Sequence, residues 1–530
     1  MAKPWRAKLA QFIAGKGARK SVVGMRQYNS AQNSRLTSGF GTTNSSADNE
    51  LVQSLQTLRS RSRQLIRDAA FAKRAKVIVV NNVIGHGVGM QAEVRTSRDT
   101  LAESVNESIE EAFEEWSRGD SCHTGGTMHF ADLERAAFGS IFEAGEVFIR
   151  IHRSAFGGSR IPFALELIEP ERLADDYAQP GPISIGSQMR MGIEVDRFFR
   201  PVAYWIKTAH PGEVRFSGDT TAKIERISAD DIFHLRIVDR WPQTRGEPWM
   251  HSVARKLNDI DGYTEAEIVA ARSAASYMGF IESDNADDPN AELQEDGSYQ
   301  TELSPGIIDR LKPGEKFNFA APNRPNSQAE AFLRFMLREI AAGTGVSYES
   351  VSRDYSQSNY SSSRLALLDD RDLYRTFQLW WIRNFRQELH KEWLQAAVLS
   401  NAVQIPIAQY AEDAHKFESA SFKARGWSWI DPTKEVEAYK EAVKAGFITV
   451  TDVIAQTGNG TDLEDVLEGR RRELDMMDAA GLEFDTSPDI YNSDAMKAQA
   501  DAKAALKPPD PQLTETSTNP APRRVFSVPR

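Results

Sequence analysis

The chain has few side chains that could bind a transition metal, and the best placed of them are Cys122, His123 and His129. A structural zinc ion requires four protein ligands, and a catalytic zinc ion requires three with one open position. The spacing of these three residues matches no common zinc motif, and the glycine pair Gly125-Gly126 between them is typical of a turn. The pattern favours a turn over a metal site, and we predict no metal and no other cofactor.

Paired glutamates offer a second route to chemistry, because two carboxylates in different surroundings can share the roles of general acid and general base. Glu143 and Glu146 lie on either side of Gly145, and four more glutamates crowd residues 110–115. Those four lie on the polar face of a predicted helix, where contact with water explains them. The alternative hypothesis is a metal-dependent nucleic-acid-processing enzyme with a helical accessory domain. It requires a cluster of acids that binds Mg²⁺, and the sequence shows none with convincing spacing.

The segment Gly85–Gly89 (GHGVG) superficially resembles a dinucleotide-binding loop, because it follows the apolar run Val77–Val83. Its spacing differs from the G-x-G-x-x-G fingerprint, and no helix clearly begins after it, so an ordinary loop is the favoured interpretation. The chain also contains no G-x-x-x-x-G-K-[ST] motif and no G-x-S-x-G motif. We therefore predict that the chain does not hydrolyse ATP and is not an enzyme.

Composition and charge narrow the class of protein further. The 530 residues are enough for several domains, and the single cysteine, Cys122, excludes a disulfide within the chain. The formal net charge of −11 contrasts with the basic excess of proteins that grip nucleic acid non-specifically. Two interpretations stay open: the chain has no nucleic-acid partner, or DNA slides past it without sticking. No apolar run approaches the roughly eighteen residues of a membrane span, so we predict no membrane partner.

The hydrophobic pattern predicts an α+β chain that is mainly helical, and these elements must position any functional residue. Helical spacing begins near Asp48, which could cap a helix, whereas residues 72–83 fit either a helix or a strand. A helix is expected over Thr100–Arg118 and another over Met128–Ala144. The pattern then changes to a period of two, which predicts several strands, including a hairpin over Ile193–Ile206.

Long helices are expected in the rest of the chain. Helical spacing predicts a helix over Trp249–Tyr277, and Ser327–Glu330 forms a capping-box pattern at the start of another. That second helix should stop at the glycine pair Gly343 and Gly345, before a stretch rich in serine, asparagine and tyrosine. We call residues 344–361 the polar segment. Ser362–Leu399 then forms the longest helical pattern, with aromatic residues at a spacing typical of core or interface packing rather than base stacking. Three shorter helices are expected near the C-terminus.

Six separated segments of this sequence resemble the lambda-type family of tailed-phage portal proteins. The strongest is the run IAAGTGVSYESVSRDYSQSNYSS, which spans Ile340–Ser362. Each segment alone is weak, but the set follows the family's order from roughly Asp48 to Gly481 and is therefore specific. The other five segments are Leu65–Gly85, Leu167–Leu173, Gly192–Trp205, Arg245–Trp249 and Ile430–Gly446.

The resemblance implies a portal fold with wing, stem, clip and crown regions, assembled as a closed ring. It implies that the polar segment is the tunnel loop of the family. The implied regions are a flexible basic and polar arm (1–49), an α+β wing body (50–247), a stem helix (248–279), a clip (280–326), a second stem helix (327–343), the tunnel loop (344–361), a long wing helix with its following segment (362–430), a helical crown (431–481) and a polar tail (482–530).

For the assembled protein, the resemblance implies a ring of twelve subunits at the unique capsid vertex, through which double-stranded DNA enters and leaves. It also implies docking of the terminase large subunit, a head-completion or adaptor protein, and the major capsid protein. The implied location is the virion, with assembly in the host cytoplasm. Five residues of the polar segment are expected to meet the DNA, most of them through neutral hydrogen-bonding groups: Asp354, Tyr355, Gln357, Asn359 and Tyr360.

Overall fold

Helices make up more than half of the residues that the structure describes, as the hydrophobic pattern predicts. The structure is a computed structural model that describes residues 35, 39, 41, 44–97, 100–175, 183–213, 223–276, 279–283, 315–319, 328–427, 432–457 and 463–482. The helices of this part are α1 (Ala47–Asp68), α2 (Ala70–Val83), α3 (Glu103–Trp116), α4 (Gly119–Cys122), α5 (Phe130–Ala144), α6 (Ala254–Ser276), α7 (Ala329–Thr344), α8 (Tyr348–Ser352), α9 (Tyr360–Trp381), α10 (Gln387–Leu399), α11 (Ile407–Glu412), α12 (Ala414–Phe417), α13 (Pro432–Lys444), α14 (Val450–Thr457) and α15 (Leu463–Ala480).

The strands form several small sheets. They are β1 (Gly89–Ala92), β2 (Arg95–Ser97), β3 (Thr100–Leu101), β4 (Glu146–His152), β5 (Ala164–Ile168), β6 (Gln188–Arg190), β7 (Ile193–Val195), β8 (Pro201–Lys207), β9 (Ile224–Ser228), β10 (Ile232–Arg236), β11 (Gly279–Ser283), β12 (Glu315–Phe319) and β13 (Ala420–Lys423). A four-stranded antiparallel sheet has the order β6-β7-β8-β9, and a three-stranded sheet has the order β10-β4-β5. Two-stranded pairs join β1 to β13, β2 to β3 and β11 to β12.

The chain divides into two compact units, each assembled from three stretches of sequence. The chain crosses between the units inside α2, α5, β4 and β5. The first unit comprises Met1–Lys76, Ala137–Ile151 and Glu166–Thr344, and the second comprises Val77–Ala136, His152–Leu165 and Gly345–Arg530.

The strands of the first unit supply a hydrophobic core. Because side chains alternate between the two faces of a strand, every second residue of each strand can face inward. Phe148 of β4, Ile193 of β7, Tyr204 of β8 and Ile232 of β10 pack into one buried cluster. The hairpin predicted from the period-two pattern is confirmed, since β7 and β8 pair antiparallel with Ile193 opposite Tyr204.

Helix α1 begins with a cap other than the expected one. Ser46 is the N-cap residue, and its hydroxyl accepts a hydrogen bond from the backbone N–H of Asn49 at 3.3 Å. Asp48 is instead buried in the first turn, where its carboxylate accepts hydrogen bonds from the backbone N–H and the hydroxyl of Thr244, both at 2.6 Å. Arg190 donates a further bond to Asp48 at 2.7 Å. The prediction of Asp48 as the cap is therefore wrong, because tertiary partners engage this carboxylate.

Two other expectations for the N-terminal half are resolved in the structure. The ambiguous run at residues 72–83 is helical and forms most of α2. The helix expected over Thr100–Arg118 is shorter at both ends, because Thr100–Leu101 pairs with β2 as strand β3 and the helix α3 spans Glu103–Trp116.

Helices α6 and α7 pack against each other in the first unit. The rings of Tyr263 and Phe332 lie with their centroids 5.1 Å apart, and Lys256 forms an ion pair with Glu339 at 2.6 Å. Ile340 of α7 is buried. An aromatic pair and an ion pair therefore lie along the interface of α6 and α7.

The start of α6 differs from the sequence expectation, whereas the end of α7 agrees with it. Helix α6 begins at Ala254, and Trp249 lies before it and donates its indole N–H to the carbonyl of Thr344 at 2.9 Å. Helix α7 runs through Gly343 to Thr344 and ends before Gly345, so it stops within the expected glycine pair. A Cβ at Gly343 would overlap with the side chain of Val253, so this glycine permits close packing inside the helix. The capping pattern at Ser327 lies outside the described residues.

One long helix runs through the second unit. Helices α9 and α10 are joined without a break by a π-helical turn over Ile382–Arg386, which confirms the longest helical pattern and starts it at Tyr360. The aromatic side chains of this helix that are at most 2% exposed are Tyr374, Trp381, Phe385 and Trp393. Their burial confirms core packing for these four residues.

The π-helical turn carries a buried charged residue that no sequence pattern predicts. Arg386 donates a hydrogen bond to the carbonyl of Val88 at 2.9 Å, and its guanidinium lies 3.8 Å from the carboxylate of Glu134. The indole N–H of Trp381 donates to the same carboxylate at 2.9 Å. Burial raises the pKa of Glu134, although Arg386 opposes this shift. π-Helical turns often occur where one side chain, here that of Arg386, makes a particular contact, because such a turn redirects a single side chain without ending the helix.

The helices nearest the C-terminus agree with the pattern. Helices α13, α14 and α15 confirm the three helices expected near the C-terminus. Within residues 280–326 the structure describes residues 280–283 of β11 and the whole of β12, which pair antiparallel with Ile281 opposite Phe317. None of the described helices combines the length and the apolar character needed to cross a lipid bilayer.

Candidate functional site

The polar segment is partly helical, although the sequence predicts a loop. Gly345 adopts a left-handed φ of 70°, which suits glycine. A short helix, α8, then spans Tyr348–Ser352 and ends at Arg353, which is also left-handed with φ 61°. The loop proper is therefore limited to residues 353–359, between α8 and α9.

A buried carboxylate fixes the start of the polar segment to α9. Asp370 is 5% exposed, and it accepts hydrogen bonds from the backbone N–H of Ser347 at 2.9 Å and from the Ser347 hydroxyl at 2.6 Å. Burial raises the pKa of Asp370, and the bonds from Ser347 oppose that shift. The sequence held a usable signal, because Asp370 precedes the buried Tyr374 by four residues and so lies on the inner face of the helix.

Asp354 holds the loop together rather than projecting freely from it. Its carboxylate accepts a hydrogen bond from the hydroxyl of Tyr348 at 2.8 Å and from the backbone N–H of Ser356 at 3.0 Å. The side chain is half-buried. Two of its acceptor positions are therefore engaged inside the polar segment, which fixes the course of the chain on either side of Tyr355.

The other four residues that were predicted to meet DNA occupy different positions in the polar segment. Tyr355 is 55% exposed, and Gln357 is exposed, so both present neutral hydrogen-bonding groups to the surroundings. Asn359 is the N-cap of α9, and it forms a reciprocal capping box with Ser362. Tyr360 is the first residue of that helix. Tyr355 and Gln357 thus project from the polar segment, whose backbone is held in place by the hydrogen bonds of Asp354 and Asn359.

One group of potential metal ligands comes together within the described part of the chain, and no sequence pattern predicts it. Glu169, Glu171 and His210 bring their ligand atoms within 4.8 Å of one another. Arg63 already pairs with both carboxylates, at 3.0 Å and 2.8 Å. The Nδ1 atom of His210 accepts the backbone N–H of Gly212 at 2.9 Å, so Nε2 carries the proton and faces Glu169. A protonated Nε2 cannot coordinate a metal, so the group fits an ion-pair network better.

The paired glutamates of the sequence have separate structural partners. Glu146 is fully buried; it accepts hydrogen bonds from Arg59, from Arg245 Nε at 2.7 Å, and from His234 Nε2 at 2.9 Å. Burial alone would raise the pKa of this carboxyl, but Arg245 and Arg59 hold it well below the usual range. Glu143 pairs instead with Lys76 at 2.5 Å. A carboxylate held permanently ionised among buried cations is suited to structure rather than to proton transfer.

Cys122 is a neutral thiol in the second unit. It is buried, and its Sγ lies 3.4 Å from the carbonyl oxygen of Ser117 and 3.5 Å from that of Met128. Burial raises the pKa of the thiol to about 12, which keeps it protonated. The turn expected at Gly125-Gly126 is present, since the backbone N–H of Gly126 donates a hydrogen bond to the carbonyl of His123 at 2.9 Å.

Comparison with known proteins gives consistent relatives. A protein described as "Probable portal protein", from Halomonas phage phiHAP-1, is 29% identical over 456 residues, covering 84% of this chain and 86% of the relative. "Portal protein B" of Escherichia phage lambda is 20% identical over 477 residues, covering 82% and 87%. A solved structure described as "Neck of native GTA particle computed with C12 symmetry" has a TM-score of 0.43 and 14% identity, and the match covers 75% of this chain and 94% of that one.

The family comparison covers most of the elements described above. Residues 33–378 match the family described as phage portal protein, lambda family. The matched stretch begins before α1 and ends within α9, so it contains the β-sheets of the first unit, helices α6 and α7, and the whole polar segment. It extends over more than half of the 530 residues. The chain therefore belongs to the lambda family of phage portal proteins.

Proposed function

We propose that twelve copies of this chain form a closed ring at the unique vertex of a tailed-phage capsid, and that double-stranded DNA enters and leaves through its channel. In this proposal the ring docks the terminase large subunit during packaging and a head-completion or adaptor protein afterwards, and it contacts the major capsid protein. The subunits assemble in the host cytoplasm and remain in the virion.

Family membership is the observation that carries this proposal. Two features of the chain support it. Helix α6 has 23 residues, so at about 1.5 Å per residue it extends over roughly 35 Å, a suitable length for the wall of a channel. The sequence lacks a P-loop, so the energy for packaging is assigned to the terminase rather than to this chain.

Contact with the passing DNA is assigned to the polar segment. Tyr355 and Gln357 carry the assignment, because they are exposed and neutral. Neutral hydrogen-bonding groups meet a phosphate without the deep electrostatic well that a lysine or an arginine would create. Asp354 and Asn359 contribute by fixing the loop on which those two side chains lie, and Tyr360 begins the helix that follows.

Deleting Ser352–Tyr360 tests the assignment of the polar segment. We expect rings of normal size in negative-stain images, together with a loss of DNA packaged or retained per head in a nuclease-protection assay. The double substitution Tyr355→Ala with Gln357→Ala should reproduce part of that loss without shortening the chain. Normal packaging by the deletion variant would remove the tunnel-loop assignment, whereas an unaltered chain that forms no rings would contradict the proposed function itself.

A further inference from the structure

The turn between β7 and β8 exposes an aromatic side chain between two arginines. We call Arg197, Phe198 and Arg200 the hairpin tip. Phe198 is 57% exposed, and the guanidinium groups of Arg197 and Arg200 lie 4.5 Å and 5.9 Å from the centroid of its ring. Both arginines are exposed, and among the described residues no carboxylate forms an ion pair with either of them. The hairpin tip therefore presents apolar surface and positive charge together.

The hairpin tip is held in one conformation. The carboxylate of Asp196 accepts hydrogen bonds from the backbone N–H of Phe198 at 2.7 Å and of Arg200 at 2.9 Å. Phe199 adopts a left-handed φ of 64°, and its ring contacts that of Trp241 edge-on at 6.3 Å. Arginine and aromatic side chains are common at binding hot spots, and side chains already held in one conformation lose little entropy on binding. The hairpin tip has both properties.

Helix α9 carries a second exposed surface of complementary character. Residues at positions 365, 368, 369, 372 and 379 fall within roughly 100° of one another around a helix of 3.6 residues per turn. Leu365, Leu368 and Leu379 of this set are 71%, 43% and 45% exposed. Asp369 and Asp372 are exposed between them. We call these five residues the α9 outer face; the opposite face of the helix is the one that carries the buried core residues.

The arginines beside the α9 outer face are directed to other groups. The guanidinium groups of Arg371 and Arg375 lie 5.6 Å and 5.7 Å from the ring of Trp427. Arg375 also lies 3.9 Å from Asp372, a loose contact in which neither group is buried. Exposed pairs of this kind contribute little, so Asp369 and Asp372 retain their capacity to attract a cation from outside.

We propose that the hairpin tip of one subunit packs on the α9 outer face of the neighbouring subunit in the ring. The inference rests on the proposed function, because only a closed ring supplies a neighbour on each side. A ring built by rotation needs two different surfaces on each chain that complement each other. Phe198 would cover the leucines, and Arg197 and Arg200 would face Asp369 and Asp372. This pairing covers the exposed apolar side chains of both surfaces and brings their opposite charges together.

Charge exchange tests the pairing in the full chain. The variant Arg197→Asp with Arg200→Asp, and separately the variant Asp369→Arg with Asp372→Arg, should each reduce the fraction of protein in rings by about tenfold or more at a fixed concentration. Combining all four substitutions should restore rings, because the two charges are exchanged rather than removed. Mass photometry measures the ring fraction. Arg118→Glu, an exposed charge reversal outside both surfaces, is the matched control and should leave that fraction unchanged.

Cross-linking gives a second readout that does not depend on stability. In the variant Phe198→Cys with Leu365→Cys, a bifunctional maleimide should produce a ladder of covalent oligomers, whereas either cysteine alone should produce none. The native Cys122 is buried and contributes little background. A cross-link confined within single chains, or no cross-link, would contradict the pairing.

The outcomes separate this inference from the proposed function. If the wild-type chain forms rings and the charge variants form them equally well, the pairing is overturned but the ring is not. The same holds if the combination of all four substitutions fails to restore rings. A wild-type chain that never forms rings overturns the proposed function instead. Rescue of rings by the fourfold variant, with the covalent ladder, supports the pairing.

Discussion

At the scale of single residues, Glu146 is a buried charge with several partners in the first unit. Arg59, Arg245 and His234 all meet its carboxylate, and the backbone N–H of Gly246 donates a further bond at 2.9 Å. The side chains of Glu146, Arg59 and Arg245 are at most 2% exposed. Removing this carboxylate would leave the buried guanidinium of Arg59 without its counter-charge and that of Arg245 with only Asp175, at 3.8 Å, which is far more costly than losing an exposed ion pair.

The substitution Glu146→Gln should therefore lower the free energy of unfolding by about 3–5 kcal/mol. Glu143→Gln is the matched control, because Glu143 is 22% exposed and pairs at the edge of the same unit. It should cost about 1 kcal/mol or less. Urea denaturation followed by circular dichroism measures both values. Equal losses for the two variants would show that the buried cations find other partners.

Two buried histidines predict sensitivity to mild acid. Burial lowers the pKa of His234 to about 3 and that of His390 to about 4. In the unfolded chain each returns to about 6.5, so the unfolded state binds more protons between these values. Stability should be fully present above pH 6.5 and should fall as the pH drops toward 4, by about 1–2 kcal/mol for each histidine at pH 5.

Urea denaturation at pH 7 and pH 5 measures this loss. His390→Gln should remove the part of the loss that His390 contributes, since glutamine does not titrate. His415→Gln is the control, because that side chain is 96% exposed. A wild-type stability that is constant over this range would contradict the assignment of both histidines as neutral in the folded state.

At the scale of elements, the packing of helix α7 depends on a few buried side chains. Ile340 is 1% exposed on α7, whereas Phe335 of the same helix is 58% exposed. The substitution Ile340→Asp should reduce the free energy of unfolding by about 3 kcal/mol or more, because an unpaired carboxylate would be buried. Phe335→Asp should leave the stability of the isolated chain nearly unchanged. Thermal unfolding distinguishes them, and equal melting temperatures would place Ile340 at the surface.

At the scale of the whole molecule, net charge would set how the proposed ring meets DNA. Twelve copies, as proposed, at −11 each would give 12 × −11 = −132 formal charges. Such an assembly should repel phosphates over most of its surface rather than trap them. We expect the purified protein to bind linear double-stranded DNA with a dissociation constant weaker than roughly 10⁻⁴ M near physiological salt, the weak end for non-specific binders. Fluorescence anisotropy measures it, and tight, steeply salt-dependent binding would refute a low-friction channel.

The sequence alone determined the local periodicities and the family. Helical spacing over residues 362–399 and alternation over Ile193–Ile206 depend only on neighbouring residues, so both were predictable. The ordered segments that resemble portal proteins could also be recognised from the sequence, as could the absence of a P-loop motif. The candidate site was predictable as a segment, because its composition and its place between two helices are local features.

Only the tertiary structure decided which polar residues have partners inside the fold. Asp48 meets Thr244, 196 residues away, and Arg386 meets the carbonyl of Val88, 298 residues away. Ser347 meets Asp370, which turns part of the expected loop into an anchored helical turn. Burial and charge pairing depend on which distant segments come together, and one chain's spacing does not contain that information. For this reason the helices were predictable, whereas the carboxylates that hold them in place were not.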